Sequence, residues 1–219
     1  MLNLTKIFQE QDRLNKETAA KHEEYSRLTK DGLTQLYVFA ALCELGEMSN
    51  EWGDFKIWKT NRKQHRVDTC PLCKGEGIKE GEKCSRCGGV RVYPLLEEYI
   101  DVVHFCVSVA IGFNLDPLIY KSSRTGRKFL NPLPKSTYHL ILKLYQNLVY
   151  ANVLIEESEK IPPTQKSIKN NQNERQKVAV DLLDTLWQLG YSLGFSDSDI
   201  EKAYFSKNQI NQIRQEENY

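Results

Sequence analysis

A chain of 219 residues carrying 30 Lys and Arg against 29 Asp and Glu, for a formal net charge of +1, is long enough for one substantial core or for a core with a small appended module. Its acidic and basic residues are interleaved, which argues against a nucleic-acid partner, since such proteins show a basic excess or stripe. No run approaches the roughly 20 apolar residues of a membrane span, and Met1-Leu2-Asn3-Leu4-Thr5-Lys6 lacks the apolar segment of a signal peptide. A cytoplasmic setting without membrane contact is therefore expected, with the six cysteines reduced.

Residues 4–29 (Leu4, Ile7, Phe8, Gln11, Leu14 and onward to Tyr25 and Leu28) have apolar positions three and four apart on a charged background, the pattern of an amphipathic helix. Gln11 lies on or beside the apolar stripe, where an ordinary boundary residue also sits. Asp31 and Gly32 break the run and start the next helix, 33–51. There an almost uninterrupted apolar stretch (Leu36, Tyr37, Val38, Phe39, Ala40, Ala41, Leu42, Cys43, Leu45) carries Glu44 and Glu47. Residues three apart share a helical face, so both acids project to one side of an element whose apolar girth predicts packing all round. Two uncompensated buried carboxylates are too costly to stand alone. Just past the helix end come Trp52, Phe55 and Trp58, where aromatics either cap a core or wall a pocket for a flat ligand.

Residues 61–94 change character, with few large apolar residues and frequent Gly and Lys. Cys70-Pro71-Leu72-Cys73 and Cys84-Ser85-Arg86-Cys87 suit one tetrahedral Zn²⁺, because each Cys-x-x-Cys turn can aim two thiolates at a shared ion and four soft ligands close the site to substrate. Gly75, Gly77, Gly88 and Gly89 follow the pairs where a knuckle needs positive φ. The Cys-x-x-Cys-x-Gly-x-Gly of 70–77 resembles the zinc-binding repeat of the DnaJ cysteine-rich region, a likeness that implies metal binding and no chaperone activity. The expected organisation is an all-α domain of 1–60 and 95–219 interrupted by a structural zinc module at 61–94.

The stretch 95–113 repeats the acidic oddity, with Glu98 and Asp101 in a helix rich in Ile100, Val102, Val103, Phe105, Val107 and Val109. Glu97 points about 100° away from Glu98 and is expected to be solvated or to support a ligand. His104 shares the Asp101 face, as a core histidine or a substrate contact. Cys43 and Cys106, alone in apolar surroundings, are expected to be inert packing. Residues 114–135 suggest a long loop with Arg124, Arg127 and Lys128, solvated or closing over phosphates. A helix follows from Ser136 to about Glu159 with Leu140, Leu144, Leu148 and Val149 as core candidates, then a polar connector over 160–174 and a helix over 178–193. Ser196 or Ser198 caps the last helix, each having an acid three residues on. Tyr204, Lys207, Asn211 and Arg214 form a stripe on one face of it, solvent-facing unless something else claims it.

Four carboxylates from two buried helices imply cations between them. Mg²⁺ takes oxygen ligands, keeps several waters and shares a substrate's phosphates, so an incomplete protein cage suits it. In such a site a carboxylate that is not fully engaged can orient the attacking water, which points to nucleotide phosphoanhydride hydrolysis. The absence of Gly-x-x-x-x-Gly-Lys-Ser/Thr argues against a P-loop enzyme.

Glu44-x-x-Glu47 followed by Glu98-x-x-Asp101 is similar to the signature of the all-α nucleoside triphosphate pyrophosphohydrolases. Leu4-Thr5-Lys6-Ile7-Phe8 with Gln11, Glu44-Leu45-Gly46-Glu47 with Asn50-Glu51, Phe55-Lys56-x-Trp58, Glu98-Tyr99-Ile100-Asp101-x-x-His104-Phe105 and Tyr204-x-x-Lys207-Asn208-x-x-Asn211-x-x-Arg214-Gln215 together resemble the dimeric dUTPases of bacteria and phages. The resemblance implies an all-α helical bundle that works as a homodimer, with active sites near the subunit interface, and converts dUTP and dUDP to dUMP, releasing pyrophosphate from dUTP. It implies Mg²⁺ on Glu44, Glu47, Glu98 and Asp101, with Glu47 positioning the water. Gln11 and Asn211 would lie in the nucleoside pocket beside a wall formed by Trp58, Tyr204 would bind substrate, and Lys56, Lys207 and Arg214 would meet phosphate or substrate. The zinc module departs from the family, where a short connection would join Trp58 to Glu98. Two other readings remain open: a relative acting on dCTP or another nucleotide, and a zinc-containing binding or regulatory protein on an inactive core.

Overall fold

A computed structural model of the protein describes residues 2–59, 78–79, 82–83, 94–124, 136–160 and 164–216. Among these residues the chain forms eight helices: α1 (Leu4–Lys21), α2 (Glu23–Ser26), α3 (Lys30–Trp52), α4 (Pro94–Gly112), α5 (Pro117–Arg124), α6 (Thr137–Lys160), α7 (Gln165–Ser192) and α8 (Asp197–Glu216). The exception to the all-α architecture is an antiparallel pair, β1 (Ile78–Lys79) with β2 (Glu82–Lys83), in which Ile78 faces Lys83. The four cysteines expected to hold zinc, Cys70, Cys73, Cys84 and Cys87, lie outside the described residues.

The long helices α3, α4, α7 and α6 pack in a ring, each against the next. Thr34 near the start of α3 meets Gly112 at the end of α4, whereas Glu44 and Glu47 meet Glu98 near its start, so the two helices run antiparallel. A Cβ at Gly112 would collide with the Thr34 hydroxyl, which is why the helices can approach so closely there. Trp187, Tyr99, Phe113, Leu45, Met48, Leu144 and Leu148 fill the core with their side chains almost wholly buried. Tyr99 donates to the Leu186 carbonyl at 2.9 Å, leaving its hydroxyl satisfied inside that core. Helices α1 and α8 pack against α4 and against each other, closing its other flank.

Several boundaries depart from the sequence expectation, each for a local reason. The helix expected over 4–29 breaks at His22, which is extended; the last buried residue of α1 is Leu14, so nothing in the core holds its final turns. Thr29 starts α3 by accepting from Gly32 N at 3.0 Å, while Asp31 lies within the first turn and is gripped by both terminal nitrogens of Arg175 at 2.7 Å. The expected loop at 114–135 contains α5, opened by Asp116 accepting from Leu118 N at 2.7 Å ahead of Pro117, which is pre-set for a first helical turn. The polar connector expected at 160–174 is largely the first part of α7, with a reciprocal Thr164–Ser167 capping box at its start. Of the two candidate serines at α8, Ser196 makes the cap, exchanging hydrogen bonds with Asp199 at 2.9 and 3.2 Å.

Burial departs too. Helix α3 is not packed all round: Leu36 and Phe39 are 45 and 66 % exposed and Cys43 is exposed, because α4 and α6 cover only part of its apolar girth. Val149 on α6, expected in the core, is exposed as well. Cys106 is buried as expected, and its surroundings push the thiol pKa upward.

Candidate active site

The antiparallel register of α3 and α4 brings the carboxylates of Glu44, Glu47 and Glu98 together, with one oxygen of each within 4.8 Å of the others. Glu44 and Glu98 are half-buried and Glu47 is exposed. Burial raises Glu44 to a pKa of about 7, and the charges of Asp101, Glu47 and Glu98 add to it. Burial also raises Glu98, again reinforced by Asp101 and Glu47. Carboxylates so crowded repel one another, and a cation among them relieves that repulsion. The donor set consists of hard oxygens, with room for further ligands, and therefore fits a Mg²⁺-type ion better than a soft one.

Asp101, the fourth expected ligand, is not part of that convergent group. Its Oδ2 accepts from Lys207 Nζ at 2.8 Å, and Glu97 Oε1 lies 3.4 Å from the same nitrogen. Burial raises the Asp101 carboxyl although Lys207 and Arg214 pull it down. Burial pulls the Lys207 ammonium down, but the Asp101 and Glu97 contacts outweigh it and leave it raised. Glu97, expected to be solvated, is exposed and at the same time a partner of that lysine.

Beside the acids lies a buried polar layer between α1, α4 and α8. Gln11 is 3 % exposed; its Oε1 accepts from the Tyr204 hydroxyl at 2.8 Å and lies 2.7 Å from His104 Nδ1, and its Nε2 donates to Asn15 Oδ1 at 2.9 Å. These bonds place the His104 proton on Nδ1. The imidazole stacks on Tyr204 at 4.4 Å between centroids, and burial depresses it to about 3, so it stays neutral. His104 Nε2 is buried with no hydrogen-bond partner among the described residues. Ser108 donates to the His104 carbonyl and reaches Asn15, and Asn208 is buried one turn beyond Tyr204. Sequence alone gives Asn15 and Ser108 no role and Asn208 only a place in the last-helix motif, yet each stands four residues after Gln11, His104 or Tyr204 and so on the same face.

The remaining expected site residues are less enclosed. Trp58 is 70 % exposed and meets Phe55 edge-on at 6.2 Å, just beyond the end of α3. Lys56 reaches back to the Asn50 carbonyl at 3.3 Å. Asn211 is half-buried and Arg214 exposed on α8, the latter near enough to influence Asp101. Arg127 and Lys128 lie outside the described residues.

A family model described as dUTPase matches residues 3–69 and 90–219. Its match omits 70–89, the stretch that contains all four paired cysteines. No curated protein and no solved structure matches the chain. Among the described residues no helix is long and apolar enough to cross a membrane.

The crowding has a measurable pH signature. Between its ordinary value of 4.5 and about 7, Glu44 binds a proton in the folded state that the unfolded chain has lost, so its contribution to stability falls as pH rises through that window. His104, depressed from 6.5 to about 3, has the opposite slope, so the comparison has to be with a variant. In metal-free protein Glu44→Gln is expected to be more stable than wild type at about pH 8 and to lose that advantage near pH 5, where Glu44 is already protonated. Urea denaturation midpoints in chelator check this, and an advantage that does not change with pH refutes it.

Proposed function

The chain belongs to the dUTPase family, and from that premise we propose that it hydrolyses dUTP and dUDP to dUMP, releasing pyrophosphate from dUTP, with Mg²⁺ as its metal. The family makes it a hydrolase of the nucleotide pyrophosphohydrolase type; the uracil nucleotide, the dUDP activity and the metal are the finer parts of the reading. The observation that carries it is the convergence of Glu44, Glu47 and Glu98 from two helices, with Asp101 one turn further along α4.

Those four carboxylates are the residues that would hold Mg²⁺. Bound there, the metal supplies charge neutralisation along the phosphate chain. Glu47 is the most accessible of the trio and the residue best placed to orient a water and take its proton. Lys207, Arg214 and Lys56 supply positive charge for phosphate, which the near-neutral chain as a whole does not. The nucleoside pocket would be built on Gln11, Tyr204 and Asn211, with half-buried Asn211 on its open side and Gln11 and Tyr204, both buried, behind it. Gln11 is held from two sides, and a residue so fixed cannot rotate to suit a different base edge. Trp58 offers an exposed ring on which a base can pack.

A homodimer is part of the same proposal. Leu36 and Phe39 on α3, and Leu142 and Val149 on α6, are exposed apolar side chains on two helices that pack together, and in this reading they make one face. A second copy meeting the first through the same face would cover it. The cysteine pairs are proposed to form a structural zinc module, and the omission of 70–89 from the family match supports its being an insertion.

Glu47→Gln is expected to lower kcat for dUTP by about 10²-fold or more while the helical circular-dichroism spectrum is unchanged. In a panel of nucleotides with Mg²⁺, pyrophosphate release should be fastest from dUTP; rapid dCTP turnover without dUTP turnover would replace the substrate assignment. Phe39→Glu should convert the dimer to a monomer in sedimentation velocity, and a monomeric wild-type protein would remove the dimer. Elemental analysis after native purification should find about one zinc per chain; none at all would contradict the module.

A further inference from the structure

Lys207 projects from α8 onto the first half of α4, and its side chain is only 14 % exposed. Its ammonium donates to Asp101 at 2.8 Å and to Glu97 at 3.4 Å. A contact meant only to tie α8 to α4 could stop at Glu97, the exposed acid of that helix. This one also takes Asp101, at the shorter distance, and Asp101 follows Glu98 by three residues and therefore shares the face that looks onto the Glu44–Glu47–Glu98 group. An ammonium inside a cluster of acids neutralises the charge that a divalent ion would neutralise, and its four-carbon stem lets the nitrogen move by several ångströms without moving the backbone.

Resting on the reading of the acids as a divalent-cation site, we propose that Lys207 is the built-in counter-cation of the metal-free enzyme: its ammonium and the incoming metal compete for the Asp101 carboxylate, and metal entry frees the lysine to turn toward substrate phosphate. Lys207 is thus a positioning residue that acts first on Asp101. Without the metal, the ion pair keeps Asp101 out of the convergent group and limits repulsion among the acids. The order of events follows from this competition. Phosphate meets a free lysine only after the acids have been neutralised, so nucleotide without metal finds the ammonium already engaged.

The test uses Mn²⁺ as the probe, without nucleotide, with free ion measured by electron paramagnetic resonance. Wild-type protein binds Mn²⁺, and Lys207→Met binds it about fivefold or more tightly because the competitor is gone. Lys207→Arg, whose guanidinium keeps the pair with Asp101, binds no more tightly than wild type. In ¹H–¹⁵N spectra of the lysine ammonium groups, the signal lost in Lys207→Arg shifts when Mg²⁺ is added to wild type. Should Lys207→Met not fold, Lys207→Gln carries the same expectation. Equal or weaker Mn²⁺ binding in the Met or Gln variant, or an ammonium signal indifferent to Mg²⁺, overturns the counter-cation. Failure of the underlying site looks different: wild type then binds no Mn²⁺, or binds it unchanged in Glu44→Gln/Glu47→Gln.

Discussion

The close antiparallel seating of α3 on α4 is the constraint on which the site depends. Thr34 against Gly112 fixes the register at one end of the pair, and that register decides which residues meet at the other. There Glu44 and Glu47 face Glu98, an arrangement that electrostatics alone would push apart. What holds it is the apolar layer around the acids: Leu45 and Met48 on α3, and Tyr99, Val102, Val103 and Val107 on α4, are all fully buried. Each such side chain contributes about 1.5–3 kcal/mol on burial, so the helix pair can keep several like charges together without an ion present. The fold thus supplies the force that assembles a site which is unfavourable by itself.

A second constraint ties α1 and α8 to the same helix. Gln11, His104 and Tyr204 join three helices through one amide oxygen, with Asn15 and Ser108 extending the chain of contacts along α1 and α4. Polar groups buried this deeply would be costly unless paired, and the pairing fixes which tautomer the imidazole adopts and which way the amide points. Lys207, one turn beyond Tyr204, is thereby held over Asp101. Glu98 and Asp101 occupy the turns of α4 just before His104, as Lys207 follows Tyr204 on α8.

Much of this was legible in the sequence because helix periodicity converts spacing into direction. Glu44/Glu47 and Glu98/Asp101, each three apart in an apolar run, announced a face, and Tyr204/Lys207/Asn211/Arg214 announced another. What the spacing could not give was pairing between faces: that Asp101 goes to Lys207 while the other three acids converge, and that Gln11 is an inner residue of a polar layer, are tertiary facts. Termini failed where a short cap overruled composition. Asp116-Pro117 starts a helix inside what composition marks as loop, and Thr164–Ser167 starts one inside a polar run whose outer face is simply wet. The proposed zinc ligands rest on spacing alone, because Cys70, Cys73, Cys84 and Cys87 lie outside the described residues.

The departure on α3 is the most instructive, because the apolar girth of that helix was right and its inference of complete burial was not. Beyond its first residue, Lys30, the residues of α3 that remain exposed, Leu36, Phe39, Cys43, Glu47 and Asn50, follow one another at steps of three and four, so they form a single stripe. Its first three members are apolar or weakly polar and ask for a cover; its fourth is the exposed glutamate of the acidic group. A helix does not present these independently. Whatever covers Phe39 and Cys43 comes within about one turn of Glu47, so a second copy seated on the apolar part would also shape the mouth of the acidic site. In the proposed dimer the surplus hydrophobicity of α3 would serve function as well as folding: one face builds the core, one face gathers the acids with α4, and the exposed stripe would join the site to its neighbour.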